Sequence, residues 1–406
     1  MTKSDTPRPW AVLLLAAAFL VVVTLGIRQA FGLFLLPITE TLGTGREVFS
    51  LALAFQNLLW GLSSPFAGAL ADKFGAGRIA AVGTVLYSGG LIVMALLVSP
   101  NGLILGHVMI GLGLGSAGVS IALGAVARAV APEKRSLALG LVTSIGSFGQ
   151  FAILPITQIF IDGYGWQLSL LLLSGLSASM LASCLLLARD ESTRKVSSTN
   201  LAHMTARLML KKAITDSDYL YLTIGFFVCG IQVVFIATHL PTYLQDSGIS
   251  ADIASWALGL VGLFNIVGSL AAGWLGSFIS KKKLLAWLYF LRSLIILGFL
   301  VLPPSPATAL IFGSAMGLLW LGTIPLTSGL IVVFFGPAFL SMLYGVAFFS
   351  HQIGSFFGAW LGGWIYDRFG SYDMMWWIII GSGLFAFFIN LLIDESPKDE
   401  EPAPAE

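Results

Sequence analysis

Long apolar segments recur along the whole chain, separated by short polar stretches. A helix needs about 20 predominantly apolar residues to cross a bilayer. Because hydrocarbon offers the backbone no hydrogen bonds, such segments cross it as helices whose amides are paired internally. The sequence therefore predicts an all-α membrane protein with twelve transmembrane helices. The predicted spans are residues 10–36, 47–70, 78–99, 102–128, 136–161, 165–188, 219–244, 252–278, 284–302, 306–335, 340–365 and 372–393.

The composition excludes several classes of protein. Hydrophobic residues make up 57% of the chain and charged residues only 10%, whereas soluble domains have about 25% charged residues. The net charge of +1 predicts no nucleic-acid partner. The sequence lacks metalloprotease, phosphate-loop and CxxC patterns, so we expect no enzyme activity, no cofactor and no metal site. Gly113, Gly115 and Gly118 match a dinucleotide fingerprint, but they lie inside predicted span four, where glycine allows helices to pack closely.

The basic residues predict the orientation. Lys and Arg in short loops are retained on the cytoplasmic side of a membrane. If both termini are cytoplasmic, seventeen of the 21 Lys and Arg residues fall inside, and only Arg46 and Arg368 fall outside. We therefore expect a multi-pass protein of a bacterial-type inner (plasma) membrane, with both termini in the cytoplasm.

The two halves of the chain match at a constant offset of 205 residues. The matching pairs are Gly68 and Gly273, Gly140 and Gly345, Gly149 and Gly354, Asp162 and Asp367, and Gly165 and Gly370. A duplicated unit predicts two pseudo-symmetric six-helix bundles, with a site between them near the middle of the membrane. The predicted domains are residues 1–188 and 219–393 for the two bundles, 189–218 for a cytoplasmic linker with an amphipathic stretch at Leu201–Lys212, and 394–406 for a disordered acidic tail.

The segment after predicted span two resembles the loop 2–3 signature of the major facilitator superfamily. It reads Gly68-Ala-Leu-Ala-Asp72-Lys73-Phe-Gly75-Ala-Gly-Arg78. The resemblance implies a twelve-helix carrier in which Gly68 lies at a helix contact. It also implies a cytoplasmic gate formed by this glycine with Asp72, Lys73, Gly75 and Arg78. The second-half copy, from Gly273 to Ser277, lacks the aspartate.

A second motif is similar to the monocarboxylate and oxalate/formate branch of that superfamily. It consists of Gly32-x-Phe34-x-x-Pro37, followed by Leu42-Gly43 and Arg46. The branch carries an arginine in span eight, four residues before a glycine, where this chain has Ser269. The resemblance therefore implies a carrier of small organic anions but leaves the substrate open.

Two arginines lie inside apolar segments, Arg28 in span one and Arg292 in span nine. A charge in hydrocarbon is costly and usually faces a pathway or a partner. Because a guanidinium presents a rigid fork of donors that matches a carboxylate, we predict that Arg28, with its neighbour Gln29, anchors an anionic substrate. The alternative for Arg28 is pairing with carbonyls of a broken helix. Arg292 is a secondary charge candidate, and its alternative is an internal structural bond.

Histidine is the candidate for proton coupling. Every Asp and Glu falls in a loop or near a helix end, so a coupled proton would need a histidine or would travel with the substrate. The candidates are His351 and His239, which are also predicted substrate contacts, and the alternative for both is a hydrogen bond between packed helices. Further predicted substrate contacts are Gln56, Asn57, Gln150, Asn265, Trp320 and Gln352, with Phe348 as a wall of the site.

These features predict a secondary active transporter of a small organic anion, a monocarboxylate or small dicarboxylate. We expect a monomer in the lipid bilayer that works by alternating access, as a proton symporter or an anion exchanger. One alternative is an exporter of drug-like, neutral or cationic molecules, which would normally need a membrane carboxylate. Another is a non-transporting sensor, for which the linker and tail are short.

Overall fold

The computed structural model describes residues 10–130, 132–190, 201–336 and 339–396. These residues form helices and no strands, which confirms the predicted all-α fold. A short 3₁₀ turn, Phe31–Phe34, follows α1. The helices are α1 (Trp10–Ala30), α2 (Leu35–Leu42), α3 (Arg46–Phe74), α4 (Ala76–Leu96), α5 (Pro100–Ala117), α6 (Val119–Ala129), α7 (Pro132–Ala178), α8 (Met180–Asp190), α9 (Leu201–Thr215), α10 (Ser217–Asp246), α11 (Ala251–Leu275), α12 (Lys281–Val301), α13 (Pro306–Leu319), α14 (Thr323–Phe335), α15 (Leu340–Phe369) and α16 (Asp373–Leu391).

The apolar helices are suited to a membrane. Within the described ranges, nine helical stretches are long and apolar enough to cross one. Helices α3 and α15 have 29 and 30 residues but are not among the nine, because polar and small residues lower their mean hydropathy. All twelve predicted spans coincide with helices. The multi-pass architecture is confirmed, and the count of twelve spans stays a prediction.

The helices are broken at several places along the chain. Inside α7, Gly165 has a φ of 75° and marks the boundary between predicted spans five and six. Side chains rarely adopt a positive φ, so glycine suits this position. Span four breaks at Gly118, between α5 and α6, and span ten breaks between Leu319 and Thr323. Since Gly118 and Thr323 are 205 residues apart, the two halves are broken at equivalent places.

The same offset relates helix contacts. Gly149 on α7 packs against Val22 on α1, and a Cβ built on this glycine would overlap the Val22 carbonyl oxygen. In the second half, Gly354 on α15 meets the Phe227 carbonyl of α10 in the same way. Gly354 lies 205 residues after Gly149, and Phe227 lies 205 residues after Val22. Because small residues let membrane helices approach closely, equivalent helices pack through equivalent glycines.

Two bundles result from this packing. The N-terminal bundle (α1–α8) and the C-terminal bundle (α10–α16) each enclose buried apolar side chains. The bundles meet where α3 packs against α15 and where α7 packs against α11. The crevice between these contacts is where a duplicated carrier places its site.

The segments between and after the bundles differ in part from the prediction. Helix α9 lies inside the predicted linker, whose residues 191–200 lie outside the described part of the chain, as do residues 397–406 of the predicted tail. The amide of Asp394 donates to the Asp218 carboxylate over 2.8 Å. The Glu395 carboxylate accepts from Ser280 Oγ and the Lys281 amide at the start of α12. The predicted tail boundary at residue 394 therefore falls too early.

Candidate substrate-binding site

Arg28 lies near the end of α1, just before the 3₁₀ turn. Its Nη2 donates to Asn57 Oδ1 on α3 over 3.0 Å, and its guanidinium carbon is 4.9 Å from the ring centroid of Trp60. Among the described residues, Arg28 Nε has no hydrogen-bond partner, and none of the ion pairs includes Arg28. A guanidinium with an unused donor and no carboxylate partner is suited to bind an anion.

This guanidinium lines a small cavity between the two bundles. The lining residues are Arg28, Phe31, Gly32, Leu53 and Asn57 from the N-terminal bundle, and Val234, Ala237 and Thr238 from α10. The cavity volume is about 10 Å³, roughly what one water molecule requires. Gly32 packs directly on the Ala237 carbonyl, so the bundles touch here. They must separate before a carboxylate can enter.

The polar groups of the lining differ in how firmly they are held. Asn57 Nδ2 donates to the Leu53 carbonyl over 2.9 Å, which orients its Oδ1 toward Arg28. Thr238 is 1% exposed, and its hydroxyl has no partner among the residues that the structure describes. Thr238 is not among the predicted contacts, because a threonine in an apolar span is ordinarily bonded to its own helix.

An aromatic row crosses from α3 to α15. The ring of Trp60 meets Phe348 edge to face at 5.3 Å, and Phe348 stacks on His351 at 5.9 Å with an interplanar angle of 8°. Beside them, Gln352 packs against Gly61, and neither atom of its amide is hydrogen-bonded within the described part of the chain. The structure thus places Phe348 and Gln352 at the contact between the bundles, with His351 stacked behind Phe348. All three lie outside the cavity lining.

The two candidate histidines have different surroundings. His239 Nε2 is 2.8 Å from the Ala359 carbonyl, and Nδ1 is 3.1 Å from the Tyr372 hydroxyl. Because a carbonyl only accepts, Nε2 carries the proton and Nδ1 accepts from Tyr372. His351 is 7% exposed, with Nδ1 3.3 Å from Ser355 Oγ. His239 does not line the cavity, and both of its ring nitrogens are engaged.

Arg292 lies in the C-terminal bundle, fully buried and outside the cavity lining. Its Nε and Nη2 donate to the Leu319 carbonyl over 3.0 and 2.6 Å, and Nη2 also donates to the Trp320 carbonyl. Asn265 Oδ1 accepts from the Leu321 amide over 3.0 Å at the same break. A buried helix end needs such partners for its backbone. These contacts correspond to the structural alternative for Arg292.

The remaining predicted contacts also lie away from the cavity. Gln56 Oε1 accepts from His107 Nδ1 over 2.7 Å. Trp320 is 1% exposed within the C-terminal core. Gln29 and Gln150 are buried, and neither is part of the cavity lining. Of the ten predicted substrate contacts, only Arg28 and Asn57 line the cavity.

Arg46, the first residue of α3, joins the two bundles at one end, called the Arg46 end below. Its Nη1 and Nη2 donate to the two carboxylate oxygens of Asp246, at the end of α10, over 2.6 and 2.8 Å. Nη1 also donates to the Tyr372 hydroxyl over 3.1 Å, and the guanidinium carbon is 3.5 Å from the centroid of Tyr366. Two-pronged, charge-assisted bonds are strong and directional, so this end is closed.

Asp367, near the end of α15, reinforces the closure. Its two carboxylate oxygens accept from the amides of Arg46 and Glu47, each over 2.8 Å. The Glu47 carboxylate in turn accepts from Trp360 Nε1 over 3.1 Å and from Arg368 Nη1 over 3.4 Å. A carboxylate at a helix start satisfies free amides and complements the helix dipole. The start of α3 is therefore capped by the opposite bundle.

The opposite end carries the predicted gate motif and is called the basic end below. A Cβ built on Gly68, Gly140 or Gly345 meets no atom within 4 Å. Gly75 has a φ of 100° and ends α3. The exposed side chains of the motif are Asp72, Lys73 and Arg78. The resemblance places Gly68 at a helix contact, but in this conformation it faces open space.

Comparisons with known proteins agree with this architecture. A family model described as the Major Facilitator Superfamily matches residues 14–320 and residues 222–406. The chain is 27% identical over 372 residues to an uncharacterized MFS-type transporter, YcxA, of Bacillus subtilis. This alignment covers 89% of this chain and 90% of that protein. It is 24% identical over an alignment of 429 residues to monocarboxylate transporter 13 of Rattus norvegicus, and this alignment covers 98% of this chain and 96% of that protein. It is also 26% identical over 400 residues to monocarboxylate transporter 11 of Mus musculus, with 91% of this chain and 85% of that protein covered.

Proposed function

Because this chain belongs to the major facilitator superfamily, and is a membrane transporter and not an enzyme, we propose that it carries small organic anions by alternating access. The observation that carries the proposal is Arg28, which lines a cavity between the bundles and lacks a carboxylate partner among the described residues. A substrate carboxylate supplies the missing partner. Two relatives named as monocarboxylate transporters support this choice of anion.

The rest of the lining favours a substrate with one charge and an apolar body. Phe31, Leu53, Val234 and Ala237 present apolar surface beside the guanidinium. Arg28 is the one cation among the lining residues of this cavity. A second carboxylate would therefore enter an apolar environment without a counter-charge, which is costly. We accordingly favour a monocarboxylate over a dicarboxylate.

Binding and movement are linked through charge. An unneutralised guanidinium between the bundles disfavours their tight closure, and a bound carboxylate removes that penalty. In this structure the Arg46 end is closed by the bond between Arg46 and Asp246. Rocking would break this contact, bring the gate motif at the basic end together and expose the site to the other side.

The coupled ion is a proton or a second anion. His351 is the better proton candidate, because it is slightly exposed and stacks on Phe348, whose ring meets Trp60 of the other bundle. His239 is fully buried with both ring nitrogens hydrogen-bonded. We further propose a monomer in a bacterial-type inner membrane with both termini in the cytoplasm.

A ligand screen on the purified protein tests the substrate class. Thermal unfolding would be followed with pyruvate, lactate, 4-methyl-2-oxopentanoate, oxalate, succinate, choline and glucose, since a ligand that binds the folded state raises its apparent stability. We expect a saturable rise in Tm with one or more monocarboxylates. Hits would then be assayed for uptake into proteoliposomes. Stabilisation by choline alone, or by no carboxylate, would contradict the proposal.

A further inference from the structure

Among the residues of the C-terminal bundle that line the Arg28 cavity, Thr238 on α10 is the one with a polar side chain. We propose that the Thr238 hydroxyl donates a hydrogen bond to the substrate carboxylate that Arg28 holds, so that one carboxylate connects the two bundles. This inference rests on the proposed transport of a monocarboxylate. It identifies the residue through which the second bundle senses the bound substrate.

The state of the Thr238 hydroxyl carries the inference. Four buried threonines, Thr24, Thr39, Thr84 and Thr157, donate to the carbonyl one turn back over 2.7 or 2.8 Å. The buried residues Thr238, Thr242 and Thr327 have no hydroxyl partner in the described part of the chain, and of these three only Thr238 lines the cavity. Thr238 makes no such bond and no other hydrogen bond within the described residues, although it is only 1% exposed. A buried hydroxyl without a partner costs free energy, and a substrate oxygen would satisfy it.

The opposite wall shows the same incomplete bonding. Arg28 Nε is also buried without a partner among the described residues, and Arg28 lines the same cavity. An ionised carboxylate has two oxygens and about four acceptor positions. It can therefore accept from the guanidinium of one bundle and the hydroxyl of the other at the same time.

The position of Thr238 in the fold explains why this contact depends on conformation. Its backbone packs on Gly32 of the 3₁₀ turn, as does that of Ala237. In this structure Arg28 and Thr238 line one cavity of about 10 Å³, which must widen to hold a carboxylate. A small separation of the bundles leaves both residues within reach of one carboxylate, whereas a larger rocking motion leaves it only one of the two partners. The substrate would thus favour an arrangement in which the bundles close around it over the open one.

The test compares substitutions that keep or remove the hydroxyl. Thr238→Val preserves shape and removes the donor, while Thr238→Ser keeps the donor. Thr242→Val is a matched control, because Thr242 lies one turn further along α10, is buried and also lacks a hydroxyl partner in the described part of the chain. It is not part of the cavity lining. Affinity for 4-methyl-2-oxopentanoate would be measured by calorimetry, with ligand-free Tm as the check on folding.

We expect Thr238→Val to weaken binding by about tenfold or more, as is typical for loss of a hydrogen bond to a charged group. Thr238→Ser and Thr242→Val should stay within about threefold of the wild type. If Thr238→Val does not fold, Thr238→Ala supplies the same comparison. Equal affinities for the wild type, Thr238→Val and Thr242→Val would overturn the inference and leave the transport proposal standing. A wild type that binds no carboxylate of the screen would overturn both.

Discussion

Arg46 and Asp246 face each other across the two bundles, and the two terminal guanidinium nitrogens each donate to one carboxylate oxygen, over 2.6 and 2.8 Å. The two residues are 200 positions apart in the chain. The bond closes the Arg46 end, whereas Gly68 at the basic end has no neighbour within 4 Å of a built Cβ. This difference between the two ends is what an alternating-access carrier requires.

Loss of this ion pair should open the Arg46 end. Asp246→Asn removes the charge, and Arg46→Lys removes the two-pronged geometry. A cysteine placed at Ser50, which is buried against Gly363 between α3 and α15, would report the opening in a background without Cys184 and Cys229. We expect a membrane-impermeant thiol reagent to label it about tenfold faster in either variant. Unchanged labelling would show that the ion pair does not hold this end closed.

Replacement of Arg28 should strongly weaken binding but leave the fold intact. Arg28→Ala should lower the affinity for the best monocarboxylate by about 100-fold or more. Arg28→Lys should also bind weakly, because an ammonium cannot reproduce the guanidinium fork. Arg207→Ala, a change at an exposed basic residue of α9, is the control. Calorimetric affinity close to that of the wild type in Arg28→Ala would remove this residue from the site.

Alanine substitutions at four glycines should differ in their effect on stability. Ala at Gly149 or Gly354 would overlap a carbonyl of the neighbouring helix, so we expect a clear loss of thermal stability, of about 1–3 kcal/mol. Ala at Gly140 or Gly345 meets no atom within 4 Å and should be neutral or slightly stabilising, because alanine favours helix. Tm measured in one detergent for all four variants gives the comparison. Similar Tm values for all four would contradict the packing described above.

Glu395 should make stability depend on pH at the basic end. Burial alone would raise the pKa of the Glu395 carboxyl. The hydrogen bonds from Ser280 and from the amides of Lys281 and Lys282, together with the charge of Lys281, lower this pKa by more. The pKa of Glu395 therefore lies below the ordinary 4.5. The folded protein thus binds this proton less readily than the unfolded chain. The stabilisation is present above the ordinary pKa and is lost as the pH falls through the folded value.

Glu395→Gln should therefore lower Tm at pH 7 and flatten its acid dependence. The difference from the wild type should shrink as the pH falls below 4.5. Glu40→Gln, at an exposed position of α2, is the control and should track the wild type. A difference between Glu395→Gln and the wild type that stays constant with pH would mean that the carboxyl acts by packing and not by its charge.

The order and type of the helices could be predicted from the chain because they depend on local properties. The length of the apolar segments can be counted along the chain, and the 205-residue offset can be found by matching short motifs such as Asp162 and Gly165 with Asp367 and Gly370. The equivalent breaks at Gly118 and Thr323, and the equivalent contacts of Gly149 and Gly354, follow the same offset. Arg28 could be selected as a candidate because a charge in an apolar segment is conspicuous by itself.

Tertiary structure decided which polar groups lie together. Arg292 and Arg28 look alike in sequence, yet one holds carbonyls at a helix break and the other lines a cavity. In sequence, Thr238 looks like any threonine in an apolar helix, and only the packing of the two bundles places it in the lining of the Arg28 cavity. Asp246 and Asp367 read as loop acids, but they bind Arg46 and cap α3 from the other bundle. Hydropathy and spacing determine helices one at a time, whereas partners of a buried polar group are set by how the bundles pack.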